Sequence, residues 1–534
     1  MTHTYNRRDF LKMTLTGTMG LALAGTRCVQ TTTPRPNIIL ILVDDLGYSD
    51  LGSYGSEIHT PHLDQLAQEG IQCTQFYNAA RCCPTRASLL TGLYPHQTGV
   101  GHMTDNLGYP SYQGHLNDHC MTIAKVLKSA GYRTGASGKW HVGAQETARP
   151  LHRGFDQYYG LISGACNYFQ PEEGVIWEGD HPTTVPDDGS YYTTDAFTDH
   201  AVDFIQASAR GKHQPFFLYL AYNAPHYPLQ AWPEDIAKYR GKYLKGWDRL
   251  REERYQRMID SGVIPSRWEL SPRDSRNRPW SELTDQEKEW RDQLMSVYAA
   301  MVDRMDQGIG RVLNTVKEQG IEQETMILFL SDNGACPYTN MWGDQPRKDT
   351  RGKVIPAGGP EATYAYGWEW ANAGNTPFRK YKRYTYEGGI STPLIVRWPG
   401  VVPAGTRTNQ VGHIVDIMAT CVDVAGASYP DTHNGQSIHP MEGRSLLPVL
   451  TGTSRETAVY CWEHQGHRGV RKEQWKLVSQ YPENEWELYD LEKDRTEVHN
   501  LITEQPDIAG ELQDIYTLWA DRCGVIPWGE IRNG

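Results

Sequence analysis

Hard oxygen ligands stand at the ends of two apolar runs far apart in the chain. Asn37-Ile38-Ile39-Leu40-Ile41-Leu42-Val43 leads into Asp44-Asp45, and Thr325-Met326-Ile327-Leu328-Phe329-Leu330 leads into Asp332-Asn333. Carboxylate and amide oxygens of this kind suit Ca2+, admit Mg2+ and do not suit Zn2+. An Asp-Asp pair taken alone is more often a turn or a helix cap. Cys82 and Arg86 are four residues apart, so a helix beginning there points both the same way, one turn apart. Lys139 and His141 are two apart and share one face of an extended segment. His226 follows a third apolar run, Phe216-Phe217-Leu218-Tyr219-Leu220. Thiol, imidazole, ammonium and guanidinium groups offer a nucleophile, a base and an anion clamp. Each also has an ordinary alternative: a buried free cysteine, a solvated lysine, a histidine bonded within a loop.

The elements that must position these groups are legible in the patterning. The near-continuous apolar runs, with a fourth at Pro393-Leu394-Ile395-Val396, read as strands covered on both faces. A long helix is expected from about Thr284 to Glu318, opened by a Thr284/Glu287 capping box. Leu294, Val297, Met301, Met305, Ile309, Val312 and Val316 keep helical spacing on one face of it. Strands alternating with such helices predict an α/β fold with a large mixed, mostly parallel sheet flanked by helices. In open sheets of this kind polar site residues gather at the carboxyl ends of strands. The texture changes after about residue 450. Trp475-Lys476-Leu477-Val478 and Trp486-Glu487-Leu488-Tyr489 read as strands of a smaller antiparallel sheet, backed by a helix near Pro506 to Ala520. The expected division is therefore a catalytic domain over residues 35–450 and a small α+β domain over 451–534.

Composition sets the bounds. The chain has 534 residues, 39% hydrophobic and 22% charged, an ordinary globular profile that excludes collagen, coiled coil and wholesale disorder. A formal net charge of −12 gives no global field for nucleic acid or an anionic membrane, so an anionic substrate needs a local cluster of cations. Ten cysteines show no paired metal spacing; an exported chain leaves room for one or two disulfides whose pairing the spacing does not give. Asn6-Arg7-Arg8-Asp9-Phe10-Leu11-Lys12, followed by a mildly apolar run to Ala24, looks like a twin-arginine export signal over residues 1–24. Arg27 directly before Cys28 argues against lipoprotein anchoring there, and no stretch spans a membrane. The expectation is an exported chain, periplasmic or secreted.

Arg81-Cys82-Cys83-Pro84-Thr85-Arg86-Ala87-Ser88-Leu89-Leu90-Thr91-Gly92 carries a resemblance. It resembles the signature of type I sulfatases, the formylglycine-dependent sulfuric ester hydrolases of the alkaline-phosphatase-like superfamily, in their arylsulfatase-like branch. Further matching pieces follow the family's order: Asp44-Asp45-Leu46-Gly47, Gly138-Lys139-Trp140-His141-Val142-Gly143, Ala224-Pro225-His226, Ser331-Asp332-Asn333-Gly334 and Tyr386-Glu387-Gly388-Gly389. A sulfate ester is a stable anion whose hydrolysis needs a nucleophile, a clamp for the sulfate oxygens and a proton donor for the departing alcohol. The resemblance implies that Cys82, not Cys83, is oxidised by a formylglycine-generating or sulfatase-maturating enzyme to formylglycine, whose hydrated form attacks sulfur. It implies one Ca2+ held by Asp44, Asp45, residue 82, Asp332 and Asn333, with Asp50 outside the set. It further makes Arg86 an anchor for the nucleophile and the carboxylates, Lys139 a sulfate clamp and His141 the base. His226 becomes the general acid, with Lys382 assisting. The segment Asn375-Thr376-Pro377-Phe378-Arg379-Lys380-Tyr381-Lys382-Arg383 departs from the family pattern: bulky residues replace its usual glycines, and Lys380 is a possible substitute for Lys382.

Substrate is less legible. The segments from Cys166 to Tyr192 and from Cys336 to Asn375 are long. The second carries Tyr338, Trp342, Tyr364, Tyr366, Trp368 and Trp370, aromatics that could wall a pocket for a sugar or aryl ring or simply pack. Glu463-His464-Gln465-Gly466-His467-Arg468 could reach the rim, and the charged stretch Tyr243 to Arg257 reads as a solvated surface helix. The favoured reading is a sulfatase acting on a sulfated carbohydrate, with an aryl sulfate as the second choice. The alternatives are a formylglycine-dependent phosphodiesterase or phosphonate monoester hydrolase, and a non-catalytic glycan-binding relic.

Overall fold

The computed structural model describes residues 35–211, 214–338, 344–456 and 458–533. The twin-arginine segment, Cys28 and Trp342 lie outside them. The strands of the large sheet are β1 Asn37–Val43, β2 Ile71–Tyr77, β3 Arg133–Gly138, β4 Gln157–Leu161, β5 Ile176–Glu178, β6 His181–Pro182, β7 Phe216–Ala221, β8 Thr325–Ser331, β9 Ser391–Arg397, β10 Thr406–Thr408 and β11 Gly412–His413. Their order is β10-β2-β9-β8-β1-β7-β3-β4-β5-β6, with β11 also on β2. β1 lies at the centre, parallel to β8 on one side and β7 on the other, in register Ile38↔Met326 and Ile38↔Phe217. β7, β3 and β4 continue the parallel block, whereas β9 runs antiparallel to both β8 and β2.

The period-2 alternation of β1 sorts it between two cores. Ile39, Ile41 and Val43 pack on one face with Leu294, Met301, Met305 and Ile309 and with Phe197 and Phe204. Ile38, Leu40 and Leu42 pack on the other with Leu89, Leu90, Ile123, Leu127, Ile417 and Met418. The first face is covered by the helices Thr193–Ala209 and Asp285–Glu318. The second of these has 34 residues and begins at the expected box: Thr284 Oγ1 accepts from the Glu287 N–H while the Glu287 carboxylate accepts from the Thr284 N–H at 2.8 Å. The helices Cys82–Thr91, Ile123–Ser129 and Asp416–Val424 cover the second face.

After β12 Thr432–His433 and β13 Gln436–Ser437, a short antiparallel pair, a separate four-stranded antiparallel sheet forms from β14 Tyr460–His464, β15 His467–Lys472, β16 Trp475–Ser479 and β17 Trp486–Asp490. The helix Pro506–Cys523 packs Leu512, Tyr516 and Trp519 against its Val470, Leu477 and Leu488. This sheet is fastened to the C-terminal side of β2 and the start of β9. Trp462 Nε1 donates to the Asn78 carbonyl at 2.8 Å. Lys476 Nζ lies 2.8 Å from Glu387 and 2.7 Å from Glu497, and Arg495 Nε 2.7 Å from Glu387, all fully buried. Although burial pushes the Glu387 carboxyl up, Lys476 and Arg495 hold it down at about 2.

Two expectations change, the solvated helix and the disulfides. The charged stretch read as a solvated surface helix forms Gly246–Asp260 and buries Trp247, Leu250, Arg251, Arg254 and Met258. Arg254 is drawn inside because Asp50 at 2.6 Å and Glu57 at 2.9 Å await it there. Glu463–Arg468 is the β14–β15 hairpin, turning through Gln465 and Gly466 at positive φ. All nine described cysteines are free thiols.

Candidate active site

Four neighbouring strands, β8, β1, β7 and β3, deliver their C-terminal ends to one edge of the sheet. Backbone bonds knit the loops that follow. Asp332 N–H donates to the Val43 carbonyl at 3.0 Å, Asp44 N–H to Ala224 at 3.1 Å, and Lys139 N–H to Ala221 at 2.7 Å. Glycine in Ser331-Asp332-Asn333-Gly334 is obligatory, since a Cβ on Gly334 would lie 1.9 Å from the Gly388 carbonyl oxygen. The Asp-Asn turn and the Glu387-Gly388-Gly389 turn therefore meet backbone to backbone.

Behind β2, the helix Cys82–Thr91 starts at the thiol itself, with Arg81 extended as N-cap. Pro84 falls in the first turn, where an N–H has no helical partner to lose. Thr85 Oγ1 accepts from the Ala79 N–H at 2.9 Å, pinning the entry loop. One turn on, Arg86 is fully buried. Its Nε and Nη2 reach Asp332 Oδ2 at 3.0 and 2.8 Å, its Nη1 donates to the Lys139 carbonyl at 2.9 Å, and its Nη2 lies 3.7 Å from Asp44.

The acidic residues arrange their oxygens unequally. Lys139 Nζ donates to Asp44 Oδ2 at 2.5 Å, and Lys382 Nζ to Asp45 Oδ1 at 2.5 Å. Asn333 Nδ2 donates to the same Asp45 Oδ1 at 2.7 Å. Asp44 Oδ1, Asp45 Oδ2 and Asn333 Oδ1 are buried with no hydrogen-bond partner. Three such oxygens from two strand ends are the donor set of a hard cation and costly without one. Asp332 differs: Oδ2 is taken by Arg86 and Oδ1 by the Asp45 N–H at 3.3 Å. Burial pushes the Asp44 carboxyl up, but Lys139, His226 and Arg86 hold it well below the usual range.

His226 Nδ1 bonds the Tyr227 carbonyl at 2.6 Å, which places the proton on Nδ1 and turns Nε2 to Asp45 Oδ2, 3.4 Å away. Asp44, Asp45 and His226 each bring one ligand atom within 4.8 Å of the others, as do Cys82, Cys83 and His141. His141 is buried beside the Cys82 thiol; burial first, then the charge of Lys139, lowers its imidazole to about 4. The thiol of Cys82 is pulled well below its ordinary value by the hydrogen bond with Cys83, against its burial, with Lys139 and Lys382 adding to the pull.

Asp44, Asp45, Cys82, Arg86, Lys139, His141, His226, Asp332, Asn333 and Lys382 thus meet in one place. Two details differ. Lys139 and His141 do not share an extended face, because β3 ends at Gly138 and His141 turns back at φ 59°. Lys380 faces away, 3.2 Å from Asp274, leaving Lys382 at the site. Lys380 and Arg383 adopt left-handed φ of 65° and 89° despite carrying side chains. Of the loop aromatics, Tyr364, Tyr366 and Trp370 belong to the core, Trp368 stacks under Arg276, and Tyr338 contacts Arg81. The hydrogen bond between the Cys82 and Cys83 thiols has no signal in the sequence beyond their adjacency.

The Sulfatase family model matches residues 36–427, and a second model, N-sulphoglucosamine sulphohydrolase C-terminal, matches residues 378–515. The chain belongs to the sulfatase family. It is a sulfuric ester hydrolase. An uncharacterized sulfatase of Schizosaccharomyces pombe is 34% identical over 93% of this chain and 95% of its own. An arylsulfatase of Klebsiella aerogenes is 32% identical over 78% and 92%. Among solved structures, Ps i-CgsB in complex with k-i-k-neocarrahexaose superposes on this sulfatase with a TM-score of 0.66 and 28% identity, covering 91% and 93% of the two chains.

Proposed function

We propose that this sulfatase is an exported enzyme that removes sulfate from a sulfated carbohydrate, through formylglycine made from Cys82 and a bound Ca2+. The observation that carries the reading is the trio of buried unpartnered oxygens, Asp44 Oδ1, Asp45 Oδ2 and Asn333 Oδ1, on residues that also engage the three cations Lys139, Lys382 and Arg86 beside Cys82. Those three residues, with Asp332 and residue 82, would hold the ion. When bound, it supplies Lewis-acid polarisation of a sulfate oxygen. Hydrated formylglycine supplies the attacking hydroxyl.

The chain's own groups do the rest. Lys139 and Lys382, each anchored on an aspartate, place two ammonium charges where sulfate oxygens gather negative charge. Arg86 keeps Asp332, Asp44 and the Lys139 carbonyl in fixed relation to the helix that carries residue 82. His141, beside that residue, takes the proton of the nucleophile. His226, its Nδ1–H kept on the Tyr227 carbonyl, delivers a proton to the departing alcohol oxygen from Nε2 when it is doubly protonated beside Asp45, with Lys382 assisting. In net terms water adds across the O–S bond: the alcohol leaves as R–OH, sulfate is released, and one proton goes to solvent. A relative solved with a neocarrahexaose supports a saccharide substrate, and the arylsulfatase relative keeps an aryl sulfate as the second choice.

Export rests on the residue 1–24 signal, and conversion of Cys82 requires a formylglycine-generating or sulfatase-maturating enzyme. No helix among the described residues is long and apolar enough to cross a membrane. The test is sulfate release across defined sulfated saccharides and aryl sulfates, with residue 82 checked by mass spectrometry. Cys82→Ala is expected to abolish turnover and Cys83→Ser to retain most of it. Undiminished activity in Cys82→Ala would overturn the assignment.

A further inference from the structure

We propose that Arg81 and Arg383 form a second anion subsite beside the reacting sulfate, taking another sulfate or a carboxylate of the same substrate; this rests on the hydrolase reading above. The two arginines flank the chemistry from separate segments. Arg81 directly precedes Cys82, Arg383 directly follows Lys382, and the Arg383 N–H donates to the Ala80 carbonyl at 2.7 Å. Both side chains are half-buried and reachable from solvent. Among the described residues neither is ion-paired to a carboxylate, unlike Arg86, Arg254 and Arg495. Arg81 rests on the Tyr338 ring, its Cζ 4.7 Å from the centroid, donates to the Tyr338 hydroxyl, and meets Met103 Sδ at 3.3 Å. Arg383 Nε is buried with no hydrogen-bond partner.

Among the described residues, the buried groups facing them are neutral imidazoles. His102 and His464 stack with centroids 5.7 Å apart. Burial, reinforced by the charges of Arg81 and Arg383, keeps both rings neutral: His102 near 4 and His464 well below the ordinary value. The acid acting on His102 is exposed Asp105. Among the described residues, two guanidinium groups therefore stand without a carboxylate partner beside the site, in a chain of net charge −12. Guanidinium forks match the planar and tetrahedral oxyanions of carboxylate and sulfate. The fit is to a glycan bearing a second negative group near the scissile sulfate.

The experiment compares kcat/KM of the mature enzyme on one disaccharide carrying a single sulfate, on its disulfated form, and on a form with a uronate carboxylate in place of the second sulfate. Wild type is expected to prefer a dianionic form by about tenfold or more, as charge-assisted hydrogen bonds allow. The two dianions tell sulfate from carboxylate. In Arg383→Gln and Arg81→Gln the preference should fall toward unity, through KM rather than kcat, and Arg383→Lys should recover part of it. Equal rates on all three substrates in wild type, or a preference unmoved in both variants, overturns the subsite. Calorimetry on Cys82→Ala protein separates the two levels of the argument. Equal affinity for mono- and dianionic forms overturns the subsite. A tenfold affinity difference, found together with no sulfate release from these saccharides by wild type, supports the subsite and overturns their reading as the substrate.

Discussion

Gly164→Ala isolates the placement of one imidazole. A Cβ built on Gly164 lies 2.5 Å from His141 Cε1 and 2.7 Å from Nε2. Ordinary contacts begin near 3.4 Å, so ring and methyl must separate by about 0.9 Å, and a 1 Å misplacement at a reacting centre costs about a hundredfold in rate. The loop has little freedom to retreat: His141 N–H bonds the Ile162 carbonyl at 3.1 Å, and Asn167 Nδ2 bonds the Pro360 carbonyl at 2.6 Å. The ring is therefore the part that yields. A hundredfold loss corresponds to about 2.7 kcal/mol of transition-state stabilisation, while overpacking of this kind costs about 1–3 kcal/mol of fold stability. The assay is kcat on a chromogenic aryl sulfate, with aldehyde content at residue 82 and the unfolding midpoint measured on the same preparation. Gly359→Ala, whose Cβ meets nothing within 4 Å, is the control. A Gly164→Ala enzyme within threefold of wild type, at equal aldehyde content, would refute the reasoning that His141 acts from this position.

Chelation should lower the unfolding temperature and Ca2+ should restore it, because Asp44 Oδ1, Asp45 Oδ2 and Asn333 Oδ1 lose their only counterpart; saturation at a hundred times Kd corresponds to about 2.7 kcal/mol. An unchanged midpoint in calorimetry counts against the ligand set. Arg254→Met leaves Asp50 without its buried cation and Glu57 without its nearer one, and should cost about 3–5 kcal/mol in denaturant titration. His413 is wholly buried and its imidazole is lowered from 6.5 to about 4 by burial. The unfolded chain therefore takes up the proton first: its contribution is complete above pH 6.5 and drains away toward pH 4, by about 3 kcal/mol in all. His413→Gln should flatten stability against pH across that window; an identical slope in the variant would remove His413 as the cause.

The parts of this enzyme that follow local rules are legible in its residues. Apolar runs ending in acid pairs give β1 and β8 with ligands at their tips, and a capping box marks the start of the 34-residue helix. The i, i+4 relation of Cys82 and Arg86 survives because both lie on one regular helix. What was hidden depends on partners distant in sequence. The antiparallel direction of β9 comes from its pairing with β8 and β2, which no pattern within Ser391–Arg397 encodes. The turn at His141 follows the end of β3. The Gly246–Asp260 helix looks solvated by composition, but Asp50 and Glu57 draw Arg254 inside. Tyr364, Tyr366 and Trp370, open in the sequence to pocket wall or packing alike, are core, since aromatic composition alone does not say which way a loop faces.

The fastening of the small sheet bears on how the enzyme comes into being. Lys476 and Arg495 neutralise Glu387 from 89 and 108 residues downstream. Until those residues are made, Glu387 lacks the two cations that hold its carboxyl down in the finished fold. In the finished fold the Cys82 side chain is almost sealed, with 2% of the residue exposed. The oxidation proposed for it is therefore expected to precede the closing of the fold around residue 82. Chain offered to the maturating enzyme only after folding should keep an unaltered cysteine at position 82, read by mass spectrometry.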